Sequence, residues 1–245
     1  KAEVLVTATI WEPEDLGNVR KIEVRTWGGK VLPGSSLPNA MVQLSPVTQF
    51  RSGAGYQYED TGIYGFSHTN KGHWNLLHIP LLPVTGDISA GDYRSGYSHD
   101  NESARPGYYQ VFLKRYGINA ELTSTLRCGF HKYTFPQDVE KRLVADMTRT
   151  NNQVRDWKIQ KVDDYTFSGY QDIGENMHFY AVSNYMIADI EQVKDDEHEV
   201  SVVNFSDSKG KEPLELKIGF SFVSIENAKM NLEKEMLDKS FAQVC

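Results

Sequence analysis

Short runs of β-branched and alternating residues, separated by turn residues, recur along nearly the whole chain. They constrain its fold more than any other feature. Val4 to Trp11 and Ile22 to Thr26 read as strands, as do Tyr108 to Leu113, Ile118 to Thr125 and Arg127 to Phe135. The second half repeats the habit at Leu143 to Met147, Val154 to Val162, Tyr165 to Tyr170, His178 to Tyr185, Met186 to Val193, Val200 to Phe205 and Leu214 to Phe222. Tyr116-Gly117, Ser168-Gly169 and Asp207-Ser208-Lys209-Gly210 punctuate them. Many short strands with almost no helical period predict an all-β fold, a large antiparallel β-sandwich spanning 1–223. The stretch from Gly28 to Ser98 differs. It is rich in Gly, Pro, Ser, Asn and aromatics, and reads as long structured loops folded over one edge or face of the sandwich.

One helix closes the chain, over 224–245. Ser224 suits an N-cap, Glu226 sits in the first turn, and Ile225, Ala228, Leu232 and Met236 recur at helical spacing. Lys229, Glu233 and Lys234 form the polar face. It either packs on the sandwich or links to another domain.

Charge removes one class of partner. The formal net charge is −7 and no Lys/Arg cluster occurs, which argues against nucleic acid and against an anionic membrane surface. No stretch approaches the roughly 18 apolar residues of a membrane-spanning helix. Two cysteines, Cys128 and Cys245, are too few for a disulfide framework or a zinc cluster. The sequons at Asn101 and Asn204 are as common as chance makes them.

The densest candidate site is Gly65 to Trp74, with His78 close behind. The steps of five from His68 to His73 to His78 put neighbouring histidines on opposite strand faces, and no carboxylate lies between Asp60 and Asp87, so a metal has little support. Contact with a sugar fits His68, His73 and Trp74 better, because an indole offers a flat apolar face and imidazoles bond hydroxyls. A Trp74 buried beneath a loop remains the alternative. Asp100 and Glu102 form a second candidate, as an acid/base pair for glycoside hydrolysis. A salt-bridged loop beside Arg105 is the stronger reading. No nucleophile elbow and no phosphate-binding loop is present. The residues alone thus end at a large β-sandwich with an aromatic, His-bearing loop face suited to carbohydrate.

Longer stretches carry a resemblance. Leu32 to Thr48 (Leu-Pro-Gly-Ser-Ser-Leu-Pro-Asn-Ala-Met-Val-Gln-Leu-Ser-Pro-Val-Thr) resembles the opening block of glycoside hydrolase family 92, whose members are calcium-dependent inverting exo-α-mannosidases. Gly55-Tyr56-Gln57-Tyr58, Ile63 to Thr69, Ser98-His99-Asp100-Asn101-Glu102, Pro106-Gly107-Tyr108-Tyr109, Tyr116 to Thr123, Gly129 to Pro136 and Ile218 to Ser224 resemble later blocks in the same order. The resemblance covers roughly residues 28 to 240.

It implies a galactose-mutarotase-like supersandwich and a linker helix, leading to an (α/α)6 catalytic barrel of the same polypeptide. The barrel would hold the catalytic carboxylates and most calcium ligands, so no catalytic or metal residue is expected here and the chain alone is expected to be inactive. Its partner would be a mannose-containing glycan, with Trp74 on the leaving-sugar side and Arg51 holding the terminal mannose. A periplasmic or secreted bacterial setting is implied, and self-association of the isolated domain is expected if its barrel-facing surface is apolar. Leu32 stands where the family has Phe, Val47 where it has Asp, and Asn70 to His73 replace a Leu-Ser-Gly-Thr-Gly run. A stand-alone carbohydrate-binding module, or a purely structural domain of a divergent inactive homologue, is the alternative.

Overall fold

A computed structural model describes residues 33–71, 74–206 and 208–245. The expected strands Val4 to Trp11 and Ile22 to Thr26 lie outside them. In chain order the strands are β1 (Ser35–Ser36), β2 (Val42–Val47), β3 (Gly62–Ile63), β4 (Gly65–Lys71), β5 (Trp74–Asn75), β6 (Leu81–Val84), β7 (Ser95–Gly96), β8 (Glu102–Arg105) and β9 (Tyr108–Leu113). There follow β10 (Ile118–Ser124), β11 (Cys128–Thr134), β12 (Arg142–Ala145), β13 (Asp156–Lys161), β14 (Thr166–Asp172), β15 (Asn176–Ser183), β16 (Ile187–Lys194), β17 (Glu199–Phe205) and β18 (Leu214–Ser221). Two helices end the chain, α1 (Ile225–Glu235) and α2 (Phe241–Val244).

Among the described residues the strands form two antiparallel sheets of eight. One runs β1-β2-β4-β6-β12-β17-β16, with β5 paired to β4. The other runs β13-β14-β15-β18-β11-β10-β9-β8. A small ribbon pairs β3 with β7. The second sheet shows why alternation predicts it. On β11, His131 and Tyr133 are buried toward the interior between the sheets. Cys128 and Phe130 instead join a second apolar cluster with Leu232, Met236 and Phe241 of the C-terminal segment. The interior itself is apolar and continuous, from Leu44, Phe66 and Val202 to Val111, Phe179 and Ile218.

The stretch 28–98 is not only loop. Within it β2, β4 and β6 take positions in the first sheet beside β12 and β17. The burial of β2 reads buried at five of six positions, and β6 at all four. Strands covered on both faces have no polar alternation, which is why the period-two signal misses them.

A helix begins where expected, but the single helix expected over 224–245 is two: α1 ends at Glu235 and the short α2 follows from Phe241. The Ser224 side chain accepts from Asn227 N, and Ala228, Leu232 and Met236 are buried. A Cβ on Gly219 of β18 would lie 2.3 Å from the Ala228 carbonyl oxygen and 2.8 Å from Leu232 Cβ. Glycine therefore sets the contact distance between helix and sheet. Gly219→Ala is expected to cost about 1–3 kcal/mol by overpacking, read as a lower urea midpoint. An unchanged midpoint would mean that α1 shifts freely on the sheet.

Candidate functional site

His68 lies on β4 and His131 on β11, in opposite sheets, and their Nε2 atoms are 2.9 Å apart. Both are fully buried. The partners fix the tautomers. His68 Nδ1 is 3.3 Å from the His78 carbonyl, which only accepts, so Nδ1 carries the proton and Nε2 accepts. His131 must then donate through Nε2, leaving its Nδ1 to accept from the Tyr133 hydroxyl at 2.7 Å. The result is a directional chain from Tyr133 through His131 and His68 to the His78 carbonyl. Burial pushes the His68 pKa down to about 3 and that of His131 well below the ordinary imidazole range. Burial likewise lowers His78 to about 4.

The segment that receives this chain is strained. Leu77 and Ile79 are both fully buried with φ of 57° and 51°. Left-handed backbone is costly for any L-residue and more so for a β-branched one. It is held by Leu76 N donating to Thr69 O, His68 N donating to His78 O, and Ile79 N donating to Gln171 Oε1 at 2.9 Å. Thr69 Oγ1 and His78 Nδ1 are 2.5 Å apart. Immediately before this anchored segment comes the β4–β5 turn, where Trp74 stands opposite Lys71 in the register. His73 lies outside the described residues. His68 has no solvent-exposed edge.

Arg51 is exposed, at the tip of the loop after β2, with φ 57°. The loop is closed by Thr48 N to Gly55 O at 2.8 Å and Gln57 N to Thr48 Oγ1 at 2.8 Å. A second loop braces it. Asn151 Nδ2 donates to Ser52 O at 2.7 Å, and the Arg149 guanidinium lies over the rings of Phe50, Tyr64 and Tyr93 at 5.1, 5.5 and 5.2 Å. Arg149 is fixed by Asp146, a fully buried carboxylate 2.7 Å from Nε that also accepts from the Tyr93 hydroxyl at 2.5 Å. No sequence motif marks Asp146, Arg149 or Tyr93; only their burial and mutual contacts reveal them.

Asp100 and Glu102 do not behave alike. Asp100 is exposed in a single 3-10 turn. The Glu102 carboxylate is nearly buried and is bonded by Tyr109 Oη at 2.6 Å, Tyr56 Oη at 3.2 Å and His99 Nδ1 at 2.5 Å. Arg105, the expected ionic partner, lies instead over the Tyr108 ring at 4.7 Å. Hydroxyl donors within reach of a buried carboxylate satisfy it without desolvating a guanidinium. The structure thus gathers three motif blocks, Gly55 to Tyr58, Ser98 to Glu102 and Pro106 to Tyr109, onto one carboxylate. Among the described residues no three His, Cys, Asp or Glu side chains converge as a metal site. His68 and His131 spend their nitrogens on each other, on the His78 carbonyl and on Tyr133, and calcium wants six to eight oxygens, so this cluster does not fit that ion.

Residues 17–231 match the glycosyl hydrolase family 92 N-terminal domain. Among solved structures, the chain is similar to a family GH92 α-mannosidase from Bacteroides thetaiotaomicron in complex with mannoimidazole. The TM-score is 0.80 at 27% identity, over 88% of this chain and 33% of that one. An inverting mannosidase of the same family and organism shares the fold, with a TM-score of 0.75 at 19% identity over 89% of this chain and 32% of that one. A protein of Arthroderma benhamiae described as an uncharacterized secreted glycosidase is 32% identical over 124 residues, 45% of this chain and 16% of the relative. The chain thus spans about a third of the length of the structures it resembles, and less of the fungal relative.

The buried histidines make a pH prediction. All three have folded pKa values below that of an ordinary imidazole. As pH falls below about 6.5 the unfolded chain takes up protons that the folded chain refuses, so stability drops with pH. Each histidine contributes up to about 1.4 kcal/mol per pH unit, present in full above that pH and eroding toward pH of about 4. Urea midpoints should therefore fall between about pH 6.5 and 5, before carboxylates titrate. A flat midpoint across that window would contradict the buried neutral chain.

Proposed function

The chain belongs to glycosyl hydrolase family 92 as its N-terminal domain, and on that premise we propose that it is the non-catalytic sandwich of an exo-α-mannosidase. It packs on a helical catalytic barrel and lends loops to the glycan site. The observation that carries this reading is the alignment of 88% of the chain on one third of a GH92 α-mannosidase whose complex holds mannoimidazole.

Trp74, on the β4–β5 turn, and Arg51, on the loop braced by Arg149, are the direct glycan contacts in this reading, joined by His73. His68 acts by position, holding the strand from which the Trp74 turn springs. The inverting reaction needs one carboxyl group as acid and another as base for water, roughly 6.5–9.5 Å apart. Glu102 is committed to Tyr56, Tyr109 and His99 and serves as an anchor, so those two groups come from the barrel, as does the calcium site. The apolar entry to α1 supports a covered face there: Phe222 is 43% exposed and Val223 74%. Secretion or export to a periplasm suits an enzyme acting on external glycans, and the fungal relative is described as secreted.

The test is release of mannose from α-1,2-mannobiose by the 245-residue chain, with calcium and then with a chelator. No release in either condition is expected. Calcium-dependent release would place the catalytic groups within this chain and overturn the division of labour.

A further inference from the structure

Near its β8 edge, the outer face of the second sheet carries an aromatic ring in the open. On β9, Tyr109, Val111 and Leu113 are buried, while Tyr108, Gln110 and Phe112 take the outer face. Phe112 is 37% exposed, at a position where a solvated strand face is ordinarily polar. Its neighbours are amides and a hydroxyl. Asn119 of β10 stands directly opposite Phe112, and Ser103 of β8 directly opposite Gln110. Opposite residues lie about 5 Å apart, and residues two apart on one strand about 7 Å, so these four side chains fall within the span of one or two sugar rings. They line an open depression of about 480 Å³, together with the exposed Asp100 and Asn101. Gln110 Nε2 donates to Asn119 Oδ1 at 3.0 Å, which fixes the two carboxamides side by side. That bond leaves Asn119 Nδ2 unused, and among the described residues no hydrogen bond engages Ser103 Oγ or the Asn101 carboxamide.

These solvent-facing groups select a ligand class. No Lys or Arg lines the depression, and Glu102 spends its carboxylate on Tyr56, Tyr109 and His99. A phosphate or carboxylate would therefore meet Asp100 with no cation to offset the repulsion. An ammonium would find an acceptor in Asp100 but would face amide N–H donors that it cannot satisfy. A sugar hydroxyl accepts from the amides and donates to Asp100 or Ser103. The apolar C–H face of a pyranose covers the Phe112 ring.

We propose that the Ser103–Gln110–Phe112–Asn119 patch is an accessory binding site for a neutral pyranose, apart from the Trp74 and Arg51 contacts, which stand on elements of the other sheet. It rests on the patch itself and goes beyond the mannosidase reading. The test is an NMR titration of the 245-residue chain with α-1,2-mannobiose and with maltose, and in parallel with tetramethylammonium and inorganic phosphate. The expected result is saturable shifts of the Gln110 and Asn119 side-chain amide resonances by at least one disaccharide and by neither ion, with a Kd on the order of 1 mM for so small a ligand. Phe112→Ala should weaken binding about tenfold, Phe112→Tyr should restore it, and Trp74→Ala should leave it unchanged. No saturable shift with either sugar, the same shifts with tetramethylammonium or phosphate, or full affinity in Phe112→Ala would overturn the proposal. Binding lost in Trp74→Ala but kept in Phe112→Ala would overturn this patch while leaving the glycan role of the Trp74 turn standing. Saturation by maltose alone would uphold the patch and count against the mannosidase reading.

Discussion

A hydrogen bond between two imidazoles joins the sheets of this sandwich. His68 and His131 meet at 2.9 Å, both fully buried, with the Phe220 ring 4.6 Å from His68. A buried polar group is costly unless every donor and acceptor is used, and here the chain ends properly at both sides. Tyr133 supplies the first proton and the His78 carbonyl receives the last. Because that carbonyl also accepts from His68 N, the same contact pins the segment holding two left-handed apolar residues. Gln171 of the second sheet adds a further tie, accepting from Ile79 N and donating to Met147 O at 2.9 Å each. The same contacts therefore join the two sheets and hold the path of residues 76–79.

The loops above the sandwich follow the same logic of buried carboxylates. Asp146 accepts from Tyr93, from Arg149 and from the amides of Thr148 and Arg149, which turns a connection after β12 into a rigid brace. Arg149 then lies beneath Phe50 and steadies the loop that exposes Arg51. Glu102 does the equivalent work for the loops around Tyr56 and Tyr109. In both cases an acidic residue is spent on geometry, which leaves exposed side chains on rigid supports.

Much of this was legible beforehand. From Tyr108 onward the strands alternate, and observed boundaries such as Tyr108–Leu113, Leu214–Ser221 and Glu199–Phe205 lie within a residue or so of the pattern. The Ser224 cap and the apolar stripe of α1 read equally plainly. Residues 28–98 hid their strands because β2 and β6 are buried on both faces and carry Pro46 and Pro83. The partners of polar residues were hidden too. His68 finds its imidazole partner 63 residues away, and Glu102 its Tyr56 hydroxyl 46 residues upstream. Local pattern cannot encode pairings of that separation. The ordered blocks of the family resemblance marked which residues mattered without saying that they meet.

The most direct measurement is the tautomeric state of the two bridging imidazoles, from long-range ¹⁵N–¹H correlations near neutral pH. The account predicts two neutral rings of opposite tautomer, with the proton of His68 on Nδ1 and that of His131 on Nε2. An imidazolium at either position, or the same tautomer at both, would show that the sheets are not joined by this chain.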